Sequence, residues 1–126
     1  MGFLDKYGSQ ILGITRIIVG LLFLEHGLAK LAHFPPVPMF ASGNLPPMIM
    51  VSGIIELVGG ALVALGLFSR IAAFICSGMM AVAYFMVHSP QGFFPILNGG
   101  ELAIVYCFVF LYFAAAGPGA FAVNNK

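Results

Sequence analysis

The sequence predicts an all-α integral membrane protein: a four-helix bundle with antiparallel neighbours, short loops and a Pro-rich loop between helices 1 and 2. Three observations carry this reading. The chain is 61% hydrophobic and 7% charged over 126 residues, outside the range of soluble globular domains. Its apolar residues gather in stretches of about 20, the length that crosses a ~30 Å hydrocarbon layer as a helix. Between these stretches stand clusters of Pro and Gly, which interrupt helices. Four such spans use up the chain, so residues 1–126 are read as a single transmembrane domain.

The first stretch, Ser9 to Ala32, follows a short polar N-terminus. It is too long for a signal-peptide core and lacks a small-x-small cleavage site, so it is read as a retained helix. Lys6 stands where a myristoylation motif wants Ser or Thr. From His33 to Pro46 the prolines remove amide donors and forbid a continued helix, which predicts an interfacial or re-entrant cap. Helices are then expected at Pro47 to Leu67 and Ser69 to His88, with the residues around Phe68 as a tight turn. The Pro- and Gly-containing stretch Ser89 to Asn98 leads to a last helix, Gly99 to Ala116, ended by Gly117, Pro118 and Gly119. Lys6, Arg70 and Lys126 fall on one side and Lys30 on the other. The positive-inside rule therefore places both termini in the cytoplasm of a multi-pass protein.

Arg16, Glu25, Glu56 and Glu101 lie within the oily stretches, with His26 and His88 close by. A charge at bilayer depth costs roughly 2.5 to 3.5 kcal/mol on insertion scales, so these groups are expected to meet one another or a bound polar group. Helical spacing sorts them onto faces. Gly13, Arg16, Gly20, Phe23, Gly27 and Lys30 make one stripe on helix 1, and Ser52, Gly53, Glu56, Gly59, Gly60 and Val63 another on helix 2. On helix 3 a seam is expected through Arg70, Phe74, Ser77, Ala81, Tyr84 and His88. On helix 4 it is expected through Glu101, Val105, Phe108, Tyr112 and Ala115. Arg16 is expected to pair with Glu56, as an ion pair fixing helix register or as a site using Glu56 as a titratable carboxylate. His26, Lys30, His88 and Glu101 are expected to form a shallower cluster toward the outer leaflet. Glu25, about half a turn from Arg16, is a further candidate there, unless a loop or an oligomer contact accommodates it.

Composition also excludes. No basic run exists to neutralise phosphates, so no nucleic acid is expected as a partner. Imidazole and carboxylate suit zinc, iron or copper, but no helix carries two ligands at i, i+4, and the ammonium of Lys30 beside His26 disfavours a cation; no metal is expected. Cys76 and Cys107 form no C-x-x-C pair and read as small apolar fillers.

The combination R-x3-G-x2-F-x2-H-G-x2-K (Arg16, Gly20, Phe23, His26, Gly27, Lys30), G-x2-E-x2-G-G (Gly53, Glu56, Gly59, Gly60), G-L-x2-R (Gly66, Leu67, Arg70), N-G-G-E (Asn98 to Glu101) and a terminal G-P-G resembles the DoxX family of small bacterial four-helix membrane proteins. The resemblance covers nearly the whole chain. It implies a bacterial inner-membrane protein, distantly similar to the small membrane subunit of thiosulfate:quinone oxidoreductase, which passes electrons from a sulfur compound to quinone. Some relatives are tied instead to redox homeostasis or to complexes handling oxidative stress. Family members often end on an acidic residue shortly after the G-P-G, where this chain has Asn124 and Asn125. The departure is confined to the tail.

Two functions are therefore expected in competition. One is a quinone-interacting subunit of an oxidoreductase or redox-homeostasis complex, with the outer cluster bonding quinone carbonyls and Phe23, Phe93 and Phe94 flanking the ring. No residue carries electrons by itself, so this reading requires a protein partner or a bound cofactor. The other is a non-catalytic scaffold or assembly factor whose Gly stripes pack against partner helices or a second copy, its charges serving internal register. A small permease would need oligomerisation, and the sequence shows no inverted repeat.

Overall fold

The computed structural model describes residues 2–38 and 45–126. Residues 39–44 of the cap expected over His33–Pro46 lie outside the described residues. Four main helices follow one another: α1 (Gly8–Leu31), α2 (Pro47–Leu65), α3 (Ser69–Ala83) and α4 (Glu101–Ala116). Short helical turns sit at Gly2–Asp5 and Pro95–Asn98, and no strand occurs among the described residues. Helix α3 runs on through a π turn, Tyr84–His88, and a 3-10 turn, Ser89–Gln91. Gly8–Leu31, Pro47–Leu65 and Ser69–Gln91 are each long and apolar enough to cross a membrane; Glu101–Ala116 is apolar but has only 16 residues.

Glycines set how closely α1 and α2 pack. A Cβ on Gly20 would stand 2.6 Å from the backbone nitrogen of Ala64, and one on Gly27 2.6 Å from that of Leu57. A Cβ on Gly60 would stand 2.7 Å from the Gly20 carbonyl. Backbone thus touches backbone, the contact that membrane helices use because lipid offers apolar side chains as good a home as a core does. The stripes expected on helices 1 and 2 are the buried faces, with Gly13, Arg16, Gly20, Phe23 and Gly27 inside on α1 and Gly53, Glu56, Gly59, Gly60 and Val63 on α2.

The seam expected on helix 3 forms in part, with Ser77 buried, and the one expected on helix 4 does not form. Helix α3 buries Ser69, Ala72, Ala73, Cys76, Ser77 and Met80, while Phe74 faces outward. The small side chains win because they admit a neighbouring helix, whereas a phenylalanine loses nothing by facing lipid. Helix α4 buries Ala103, Tyr106, Phe110 and Phe113, leaving Glu101, Val105, Phe108, Tyr112 and Ala115 exposed. It is apolar all round, so hydrophobic pattern does not set its phase. Aromatic packing does: Phe23 of α1 lies edge-on to Phe110 and Tyr106, with ring centroids 4.7 and 5.2 Å apart.

At the end of the molecule that holds both termini, α2 stops in a Schellman turn. The amide of Leu67 donates to the Leu62 carbonyl and that of Gly66 to Val63, with Gly66 left-handed at φ 68°. The C-terminal tail closes this end. Ala120 N donates to Ser9 O, and Val123 N and Asn124 N donate to Leu65 O and Gly66 O. The Asn124 Oδ1 accepts the amide of Phe68 at 3.0 Å, holding a left-handed residue (φ 49°) at the start of α3. Arg70 donates to the carbonyls of Ala114, Ala115 and Asn125, placing a cation at the negative end of α4. The Asn124→Ala variant is expected to lose about 1 kcal/mol, the worth of a typical hydrogen bond, read as a lowered thermal midpoint in detergent.

Candidate functional site

At the opposite end, residues of α1, α2, α3 and α4 line a cavity of about 690 Å³. Its walls are mostly aliphatic, thioether and aromatic, from Met48, Ile55, Met79, Met80, Met86, Leu102 and Phe23. A few polar side chains enter it: Lys30, Ser52, Glu56, His26, His88 and Tyr106. Several lining residues on α2 and α3, among them Val51, Val82 and Val87, are exposed on the outer surface, so the cavity opens sideways.

Lys30 and Glu56 form an ion pair across α1 and α2, the carboxylate almost completely buried. The ammonium also donates to Ser52 Oγ at 3.1 Å, and that hydroxyl donates to Ile49 O, so the pair is tied to the first turn of α2. Glu56 is close enough to His26 and Tyr106 to act on both electrostatically, and the His26 ring meets Tyr106 edge-on at 6.1 Å.

The expected pairing of Arg16 with Glu56 does not form. Contacts between Gly27 and both Gly53 and Leu57 set Glu56 level with Gly27. Arg16 lies three turns away along α1, about 16 Å at ~1.5 Å per residue, beyond what its stem bridges. Its guanidinium, with no solvent exposure, instead donates to the tail carbonyls of Pro118 (2.8 Å), Phe121 (2.9 Å) and Ala120 (3.4 Å). Carbonyl dipoles take the place of a counter-anion, and Lys30 fills the role assigned to Arg16.

His26, Lys30 and His88 line this cavity; Glu101 and Glu25 do not. Glu101 is exposed in the first turn of α4, where the positive end of the helix dipole favours a carboxylate. Glu25 is exposed on α1, within electrostatic range of Tyr106. Phe93 and Phe94 stand outside the cavity and are largely exposed; of the three aromatic residues expected to flank a ring, Phe23 alone lines it.

Sequence reasoning missed Asn98. Buried before the start of α4, its Nδ2 donates to Gly92 O (3.0 Å) and Tyr84 Oη (3.2 Å), and its Oδ1 accepts the Gly100 amide (2.8 Å). Its own carbonyl faces His88 Nδ1 at 3.1 Å. The π turn brings Tyr84 and His88 here, because its extra residue per turn rotates the chain that follows. Gly100 is needed beside the Tyr84 ring, where a Cβ would come within 2.5 Å. Among the described residues no three His, Cys, Asp or Glu side chains converge as a metal site would require.

The DoxX family model matches residues 11–89, which span α1 to the end of the π turn. A Haemophilus influenzae protein described as uncharacterized is 48% identical over the whole of this chain and 97% of its own length. A Bacillus subtilis (strain 168) protein, printed as "Putative oxidoreductase CatD", is 28% identical over 88% of this chain and 82% of its own. No solved structure matches. With a family match over more than half its length and a full-length relative at that identity, the chain belongs to the DoxX family of membrane proteins.

Proposed function

We propose that the protein is a quinone-interacting membrane subunit of an oxidoreductase or redox-homeostasis complex. In this reading it is an antiparallel four-span bundle of the bacterial inner membrane with both termini cytoplasmic. The short fourth helix is served by slight local thinning of the bilayer. Lys6, Arg70 and Lys126 then face the cytoplasm, and the cavity lies toward the outer leaflet.

The observation that carries the reading is the cavity: apolar, open sideways, and furnished with a small set of polar groups around a buried Lys30–Glu56 pair. Its size falls in the ~300–1,000 Å³ range of small-molecule sites, and its chemistry suits a flat ring bearing two oxygens and a lipid tail. The relative named as an oxidoreductase points the same way. Electrons must come from a partner protein or a second cofactor. The scaffold reading draws less support, because the glycines of α1 and α2 pack against each other within the chain.

Protein purified in mild detergent should carry quinone in its lipid extract. Ala83→Phe, which fills the cavity from α3 without touching its polar groups, should lower that quinone at least about tenfold while the thermal midpoint holds. Quinone content unchanged by the block, or absent from the wild type, would count against the proposal.

A further inference from the structure

We infer that His88 serves this cavity as a hydrogen-bond acceptor and so favours the hydroxyl-bearing, reduced form of the ring over the quinone. The inference rests on the quinone reading above and adds to it a preference between the two forms of the ligand.

The argument begins at Asn98. A backbone carbonyl can only accept, so the 3.1 Å contact between Asn98 O and His88 Nδ1 requires the proton on Nδ1. A neutral imidazole has one ring proton, and Nε2 is then a bare lone pair. Among the described residues Nδ1 is the ring nitrogen that is hydrogen-bonded, which leaves Nε2 for whatever enters the cavity that His88 lines.

The tautomer is held because the carbonyl that selects it is held. The side chain of Asn98 is buried and tied at three points, to Gly92 O, Tyr84 Oη and the Gly100 amide. The Tyr84 ring is in turn confined by Gly100. Asn98 is thus a positioning residue that acts through His88.

His88, beyond α3, therefore offers the cavity an acceptor. A quinone has two acceptor oxygens and nothing to give Nε2. A quinol has two hydroxyls, either of which can donate to Nε2. Facing an acceptor with an acceptor in an apolar cavity forfeits one hydrogen bond, worth about tenfold in affinity.

The test compares a short-chain ubiquinone with its quinol, kept reduced anaerobically, on wild type and on His88→Phe in nanodiscs at mildly alkaline pH. The wild type should bind the quinol about tenfold more tightly. His88→Phe should remove that margin, so that the two forms bind within about twofold of each other. A second measurement is independent of the variant's folding: ¹⁵N NMR of histidine-labelled wild type should show His88 in the Nδ1–H form. Equal binding of the two forms, or an Nε2–H tautomer, overturns this inference alone. Binding of neither form overturns it together with the quinone reading.

Discussion

Replacing Arg16 by leucine is expected to free the C-terminal tail and to cost about 3 kcal/mol or more of stability. The guanidinium, itself fully buried, donates to three tail carbonyls, and each charge-assisted bond is worth about 1.5 to 3 kcal/mol. Leucine fills part of the space and satisfies none of those oxygens. Carboxypeptidase should then trim the tail faster than in the wild type, and the thermal midpoint should fall. Arg16→Lys should lie between the two, since an ammonium is a point donor where a planar fork is wanted. Ending the chain after Ala116 supplies the control. It removes the acceptors and leaves the cation buried, so truncation should cost more in the wild-type background than in the R16L background. Equal costs in the two backgrounds would show that the tail is held by its backbone bonds to Ser9, Leu65 and Gly66 instead.

The faces of α1 and α2 were legible because glycine marks them. In a membrane the helix interface is where backbones can meet, and a run such as Gly20, Gly27, Gly53 and Gly60 states that directly. Helices α3 and α4 lack that mark. A heptad-like spacing that included Phe74 and Phe108 was misleading, since large apolar residues are at home in lipid and their periodicity carries no burial signal there. The polar site was half legible for a related reason. That Lys30, His26 and His88 belong to one end follows from span positions. Which cation meets Glu56 depends on helix register, and this is set by backbone contacts that composition does not encode. Asn98 and the π turn were hidden because their meaning lies in the backbone groups they bind, which no spacing of residue types announces.

Glu56→Leu and Lys30→Met should each destabilise the protein by about 3 kcal/mol, and the double variant should recover most of the loss. Each single change strands the other charge in low-polarity surroundings: the Lys30 and Glu56 side chains are 15% and 4% exposed, too buried for solvent to screen. The Coulomb attraction of a buried pair roughly offsets its desolvation, so an apolar pair of similar volume is neutral or better for folding, more so with lipid outside. Thermal midpoints of the four proteins give the cycle, and the coupling should be of the same order as the single losses. The ligand separates function from architecture. If the pair only fixed register, the double variant would fold and keep its quinone. As a polar anchor in an apolar cavity, the pair orients the ring, and the folded double variant should lose quinone at least about tenfold. A stable double variant with full quinone content would return Lys30 and Glu56 to a packing role and leave the binding to His26 and Tyr106.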